Sequence, residues 1–202
     1  MPIVPLPDCT GALLAGGRAT RLGGAAKGLL RVEGEPIASR SLALFERLFG
    51  RSLVVANDPA PYAALGARSV PDLLAGHGAP GGLHAALSAA ETPWIFLAAC
   101  DMPFLNADAI RFLAARRDGA DVVVVRARER LEPLHAFWSR ACLPPLERLL
   151  REGNPSLRDV AAEVRTRIVE ETEWRTVDPH LRSLENANTP EDAARLGLGP
   201  PE

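Results

Sequence analysis

The stretch LAGGRATRLGGAAKGLL, residues 14–30, places five glycines, two arginines and one lysine within seventeen positions. That lysine, Lys27, is the single lysine of a 202-residue chain whose other 22 basic residues are arginine. Two glycine pairs, Gly16-Gly17 and Gly23-Gly24, frame Arg18 and Arg21 ahead of it. Glycine lets backbone N–H groups approach an anion closely and take up positive φ. Arginine forks onto phosphate oxygens in two bonds, whereas lysine is a compact charge that can follow a phosphoryl group as its charge shifts. Together these residues suit a polyphosphate. The pattern is not a Walker A loop, because Ala26 precedes the lysine and Gly28 follows it. Nor is it GxGxxG, so a dinucleotide-binding dehydrogenase loses its main support.

A polyphosphate needs a divalent cation, and magnesium takes one or two carboxylates besides waters and phosphate oxygens. PWIFLAACDMPFL places Asp101 directly after a strongly apolar run, and Pro103 turns the chain away behind it. RSVPD puts Asp72 after a short strand, and VVAND puts Asn57 and Asp58 after another. A second glycine-rich segment, LLAGHGAPGGLHAAL, holds Gly76, Gly78, Gly81 and Gly82. It is expected either to present backbone groups to the edge of a base or simply to connect strand to helix. His77, His84, His135 and His180 lack metal-ligand spacing with any cysteine and are read as structural.

These residues need a scaffold that gathers strand ends. CTGALLA (9–15), RSLVVAN (51–57), PWIFLAAC (93–100) and ADVVVVRA (120–127) are continuous apolar runs, as in strands buried on both faces of a parallel sheet. Between them, residues 36–49, 82–91 and 107–117 carry apolar positions at helical spacing, the last capped by Asn106. Alternation of strand and helix gives βαβ units and an open sheet covered on both sides, with ligands at the carboxyl ends of the strands. Further on, 132–138 reads as a strand, 142–153 as a helix closed by Gly153, and 164–171 as an exposed strand. Residues 189–197 read as a capped helix with Pro190 in its first turn. The expected fold is α/β, a Rossmann-like three-layer sandwich with a mostly parallel sheet and an antiparallel C-terminal extension. One domain is expected over 1–202, with a nucleotide-binding half at about 10–125 and an acceptor-side half at about 126–196. The GLGPPE tail is expected to be loose.

Composition narrows the function class. A net charge of −2 with 24% charged residues gives no field for nucleic acid or a membrane surface. No apolar run approaches the ~18 residues of a membrane span, and MPIVPLPDCT does not read as a signal peptide. Three widely spaced cysteines, Cys9, Cys100 and Cys142, form neither a disulfide framework nor a metal clip, so reduced, buried thiols and a cytoplasmic location are expected.

LAGGRATRLGGAAKGLL, Asn57, the Pro71-Asp72 pair, GHGAPGGLHAAL, CDMPFL, EPLHAFW and NANTPED, in this order, resemble the molybdenum cofactor guanylyltransferases of the nucleotidyltransferase superfamily. The resemblance runs from about Thr10 to Leu196. It implies transfer of GMP from GTP to the terminal phosphate of molybdenum-bound molybdopterin, with release of pyrophosphate and magnesium as cofactor. Leu14, Ala15 and Gly16 would contact GTP, and Gly17 and Arg21 would shape the phosphate loop. Lys27 would hold the triphosphate, Asn57 and Asp72 would contact the nucleotide, and Asp101 would bind GTP and magnesium. Lys27, Arg21 and Asp101 are thus the implied catalytic set. Asn186 and Asn188 would lie towards the pterin. Two departures stand out. Ala26 occupies a position where the family usually has aspartate, and the arginine-rich turn for the pterin is replaced by GNPSLRDV, leaving only Arg158. A recipient molybdoenzyme or its chaperone is a further implied partner.

A phosphate monoester is already anionic near neutral pH and needs no general base, which matches the lack of any triad or nucleophilic cysteine pattern. Positioning and charge stabilisation would carry the reaction. The rival readings are a cytidylyltransferase or sugar-phosphate nucleotidylyltransferase of the same fold, and a GTP-binding cofactor carrier without turnover.

Overall fold

The first apolar run forms β1 (Cys9–Leu14), every residue of it buried. A computed structural model describes residues 5–15, 26–74 and 76–201. The loop positions Gly16, Gly17, Arg18, Arg21, Gly23 and Gly24 lie outside the described residues. In chain order, β1 is followed by a small hairpin of β2 (Arg31–Val32) and β3 (Glu35–Pro36), then α1 (Ile37–Phe49), β4 (Ser52–Val55) and β5 (Arg68–Val70). Next come α2 (Gly78–Ala89), β6 (Trp94–Ala99), α3 (Ala107–Ala114), β7 (Val122–Ala127) and β8 (Arg130–Ser139). The chain closes with α4 (Leu143–Glu152), α5 (Leu157–Ala162), β9 (Thr166–Glu170), α6 (Glu171–Trp174) and α7 (Pro190–Arg195).

Seven strands form one sheet in the order β5-β4-β1-β6-β8-β7-β9. Its pairs are parallel except the two made by β8, which runs antiparallel to both β6 and β7. The antiparallel contribution is therefore one strand inserted between two parallel neighbours. β9, the edge strand, is parallel to β7 because the crossover through α4 and α5 restores the chain direction. Side chains alternate between two cores. One face buries Phe45, Phe49, Phe96 and Phe137 under α1 and α3, and the other buries Leu83, Leu87, Leu97 and Trp138 under α2, α4 and α5. Close approach of α1 depends on Gly11, where a Cβ would overlap the Phe45 side chain.

Two local expectations change. α2 begins at Gly78 rather than at 82, so Gly81 and Gly82 are helical and buried. A Cβ at Gly82 would run into Leu14 at the end of β1, so this glycine serves helix-to-strand packing rather than a loop that faces a base. The C-terminal tail is held as well. Gly199 and Arg31 exchange backbone hydrogen bonds of 2.8 and 3.0 Å, and Leu198 packs against the cluster of Leu30, Val32 and Ile37. No helix among the described residues is long and apolar enough to cross a membrane.

Candidate active site

The carboxyl ends of β1, β4, β5 and β6 share one rim of the sheet. The Cys100 amide donates to the Leu14 carbonyl at 2.9 Å, and the Ala15 amide donates to the Val55 carbonyl at 2.9 Å, so the segments leaving these strands stay in register. Leu14 and Ala15 therefore sit between Asn57 on one side and Asp101 on the other.

Lys27 opens a single 3-10 turn, Lys27–Leu29, that follows the glycine-rich loop. Gly28 is buried there, and a Cβ would lie 3.0 Å from the Tyr62 ring and 3.1 Å from the Cys100 Cβ. The missing side chain is what lets this turn press against the end of β6. Lys27 Nζ then donates to Asp101 Oδ2 at 2.9 Å and to Asn188 Oδ1 at 2.7 Å. Both partners of the ion pair are largely enclosed, with side chains 21% and 13% exposed. A lysine has three donors. Two of them are used by described residues.

Asn188 reaches Lys27 because the NANTPED segment is fixed at three points. The Ala187 amide donates to the Asp101 carbonyl at 2.9 Å, and the Ala187 side chain is fully buried. In extended backbone the flanking residues project away from that anchor. Thr189 caps α7 in a capping box with Asp192, whose carboxylate also accepts from the Asn188 amide at 3.1 Å. Asn188 Nδ2 in turn donates to Asn186 Oδ1 at 2.8 Å. The resemblance implied that both asparagines lie towards the acceptor; Asn188 accepts from Lys27, and Asn186 lines the neighbouring cavity.

Asn57 and Asp72 form their own pair. Asn57 Nδ2 donates to Asp72 Oδ2 at 3.1 Å, and the Asp72 amide donates to Asn57 Oδ1 at 2.9 Å. This two-way clasp fixes the ends of β4 and β5 relative to each other. Asn57 is exposed and Asp72 half-buried.

Beyond Asp101 lies a cavity of about 390 Å³, within the range of small-molecule sites. Its wall includes Asp101, Met102, Glu132, Leu134, Arg158 and Asn186. Arg158 is exposed, on the first turn of α5, whose capping box joins Ser156 and Asp159. Glu132 escaped the sequence reading, although EPLHAFW contains it. Its carboxyl is pushed up by burial, against which the charges of Arg158, Arg128 and Arg130 act.

The thiol beside the rim is inert. Burial, with Asp101 next to it, pushes Cys100 up to about 12. All three cysteines are buried and unpaired. His84 is mostly buried in α2 with Nε2 3.4 Å from Glu147 on α4, and His135 is fully buried, so both are structural as expected. Among the described residues no group of three or more His, Cys, Asp or Glu side chains could by itself hold a metal ion.

Residues 11–168 match the family described as the MobA-like NTP transferase domain. The chain is 36% identical, over 91% of both sequences, to a molybdenum cofactor guanylyltransferase from Desulfosudis oleivorans. It is 34% identical, over 93% of this chain and 91% of the relative, to a protein named "Probable molybdenum cofactor guanylyltransferase" from Pelotomaculum thermopropionicum. In three dimensions it is similar to molybdopterin-guanine dinucleotide biosynthesis protein A from Archaeoglobus fulgidus. That similarity has a TM-score of 0.78 at 25% identity and covers 93% of this chain and 96% of the other. The order of motifs, the sheet topology and these matches agree, and the chain belongs to the MobA-like NTP transferase family, as a nucleotidyltransferase of molybdenum cofactor biosynthesis.

Proposed function

We propose that the chain transfers GMP from GTP to the terminal phosphate of molybdenum-bound molybdopterin, releasing pyrophosphate and forming the guanine dinucleotide form of the cofactor. The observation that carries this reading is the sharing of the Lys27 ammonium between Asp101 and Asn188 at the strand rim. It sits with the Asn57–Asp72 clasp on one side and the cavity of Asn186 and Arg158 on the other. Lys27 and Arg21 hold the triphosphate and stabilise charge on the α-phosphoryl group and the leaving pyrophosphate. Leu14, Ala15, Gly16, Gly17, Asn57 and Asp72 receive the nucleotide, and Asn186 and Arg158 face the acceptor. The acceptor's phosphate oxygen forms the new bond to the α-phosphorus as the bond to the β-phosphate oxygen breaks. The residues to about 125 form the nucleotide half, and those from about 126 to 196 the acceptor half.

Magnesium fits Asp101. Oδ2 is bonded to Lys27, and Oδ1 makes no hydrogen bond among the described residues. One carboxylate completed by phosphate oxygens and waters is a donor set that magnesium accepts. Asp101 would hold the ion, which neutralises phosphate charge when bound. The buried free thiols support a reducing, cytoplasmic setting, from which the product passes to a molybdoenzyme or its chaperone.

The test is pyrophosphate release with magnesium and molybdenum-loaded molybdopterin, offering GTP, CTP, ATP and UTP in parallel. Turnover with GTP alone is expected. Turnover with CTP instead would move the chain to a cytidylyl specificity. GTP binding with no turnover would identify a carrier.

A further inference from the structure

β8 departs from regular pairing as it passes the cavity. Between the pairs Val124↔Ala136 and Arg126↔Leu131, β8 advances from 136 to 131 while β7 advances only from 124 to 126. The surplus residues, centred on Glu132, Pro133 and Leu134, bulge out of the ladder and become cavity wall. The Pro133 carbonyl that this frees is taken by the Trp138 indole N–H at 3.2 Å. Bulges of this kind re-aim side chains next to ligand sites.

The turn just before this stretch has left-handed backbone as well. Arg128 and Glu129 have φ of 49° and 62°, a region where Asn-Gly would be free of strain. The turn is held from outside. Glu171 accepts from the Arg128 amide at 2.7 Å, and Glu185 accepts from its guanidinium at 3.1 Å. Such strain persists only where the surroundings over-determine it.

Glu132 makes no hydrogen bond or ion pair with a described residue, although it is half-buried. An enclosed carboxylate without donors is unfavourable, and it accepts only, through two oxygens side by side. Its complement is a ligand edge with two parallel N–H groups. Beside it Leu134, Met102 and Pro80 offer an apolar wall to a flat ring, while Asp101 and Asn186 line the same cavity. A pterin has that shape, and its 2-amino-4-oxopyrimidine edge carries the paired donors. Guanine carries the same pair, but β8 lies three positions across the sheet from β4, where Asn57 sits, about 14 Å at ordinary strand spacing.

We propose that Glu132 is the acceptor-specificity residue, its carboxylate receiving the paired N–H donors of the pterin ring. This rests on molybdopterin being the acceptor. The test is direct binding of 6-hydroxymethylpterin, followed by its fluorescence, to the full chain and to Glu132→Gln, an isosteric variant. A lumazine analogue, with a 2-oxo group in place of the 2-amino group, is the control ligand. The wild type is expected to prefer the pterin at least tenfold, and E132Q to lose most of that preference with unchanged GTP affinity and melting temperature. Equal pterin affinity in E132Q overturns the proposal, as does a wild type that does not distinguish the two rings. Loss of GTP affinity in E132Q with pterin binding intact would assign the carboxylate to guanine and also overturn it. Pyrophosphate release is scored separately. Pterin discrimination without turnover would sink the transferase reading alone, and turnover with identical acceptor KM in E132Q would sink only the role of Glu132.

Discussion

The Lys27 rim and the Glu132 wall are built on opposite principles. At the rim, polar groups satisfy one another: Lys27 with Asp101 and Asn188, Asn188 with Asn186, Asn57 with Asp72. Each is tied to backbone that cannot easily move, through the Ala187 anchor, the α7 capping box and the strand ends. At the wall, the Glu132 carboxylate makes no hydrogen bond or ion pair with a described residue, the strand is bulged, and Arg158 is exposed. On the proposed reading, the rim is preorganised for charge that develops at a phosphoryl group, where fixed donors are most effective. The wall is completed by its ligand. On the proposed reading the chemistry is set by strand ends, and the choice of acceptor by an irregularity in one strand.

The largest effects are expected at the rim. Lys27→Ala and Asp101→Ala should each lower kcat by about 10³-fold with melting temperatures within a few degrees of wild type. A loss under tenfold in steady-state pyrophosphate release would show that the pair is only structural.

A second probe weakens β8, the strand that carries the wall and pairs with β6. His135 on β8 is fully buried against Phe96 and Trp174, with neither ring nitrogen hydrogen-bonded among the described residues. Burial pushes it down to about 4, and its own backbone and Asp178 oppose this only weakly. In the unfolded chain its pKa is ordinary, so between about pH 6.5 and 4 the unfolded state binds the extra proton. Stability contributed by the neutral imidazole is complete above pH 6.5 and lost as pH falls to 4, by about 3 kcal/mol. Chemical denaturation across this range should show that slope, and His135→Phe should flatten it. Equal slopes in the two proteins would contradict the assignment.

Asn188→Ala sharpens the rim itself. It removes one acceptor from Lys27 and leaves Asp101 in place, and should reduce kcat by about tenfold, in line with one hydrogen bond to a charged group. The smallest effect belongs to the wall. Glu129→Gly relieves a left-handed φ and should stabilise the protein by about 0.5 kcal/mol, the strain relieved less the added freedom of the unfolded chain. Destabilisation in thermal melts would show that this turn is not strained.

The sequence was most readable where burial dictates pattern. The apolar runs that became β1, β4, β6 and β7 are continuous because helices cover both faces, and Asp101 follows from where the β6 run stops, while Asp72 follows the short RSV segment that became β5. Lys27 was legible as the exception in an arginine-rich chain. The placement of β8 was not, because pairing order depends on contacts distant in sequence. Glu132 was hidden because the bulge breaks the period-2 alternation that would have assigned it a face. Asn188 could be read as polar and near a helix cap, but its grip on Lys27 spans 161 positions and needed the Ala187 anchor to become visible.

In the proposed reaction the acceptor's own phosphate attacks the α-phosphorus of GTP at the Lys27–Asp101 rim. Incubating the protein with molybdenum-loaded molybdopterin and GTP labelled in turn at the α- and γ-phosphates tests it most directly. That reaction puts the α-label in the pterin product and the γ-label in pyrophosphate, one to one. Label appearing as free orthophosphate, or α-label in GMP with none on the pterin, would contradict it.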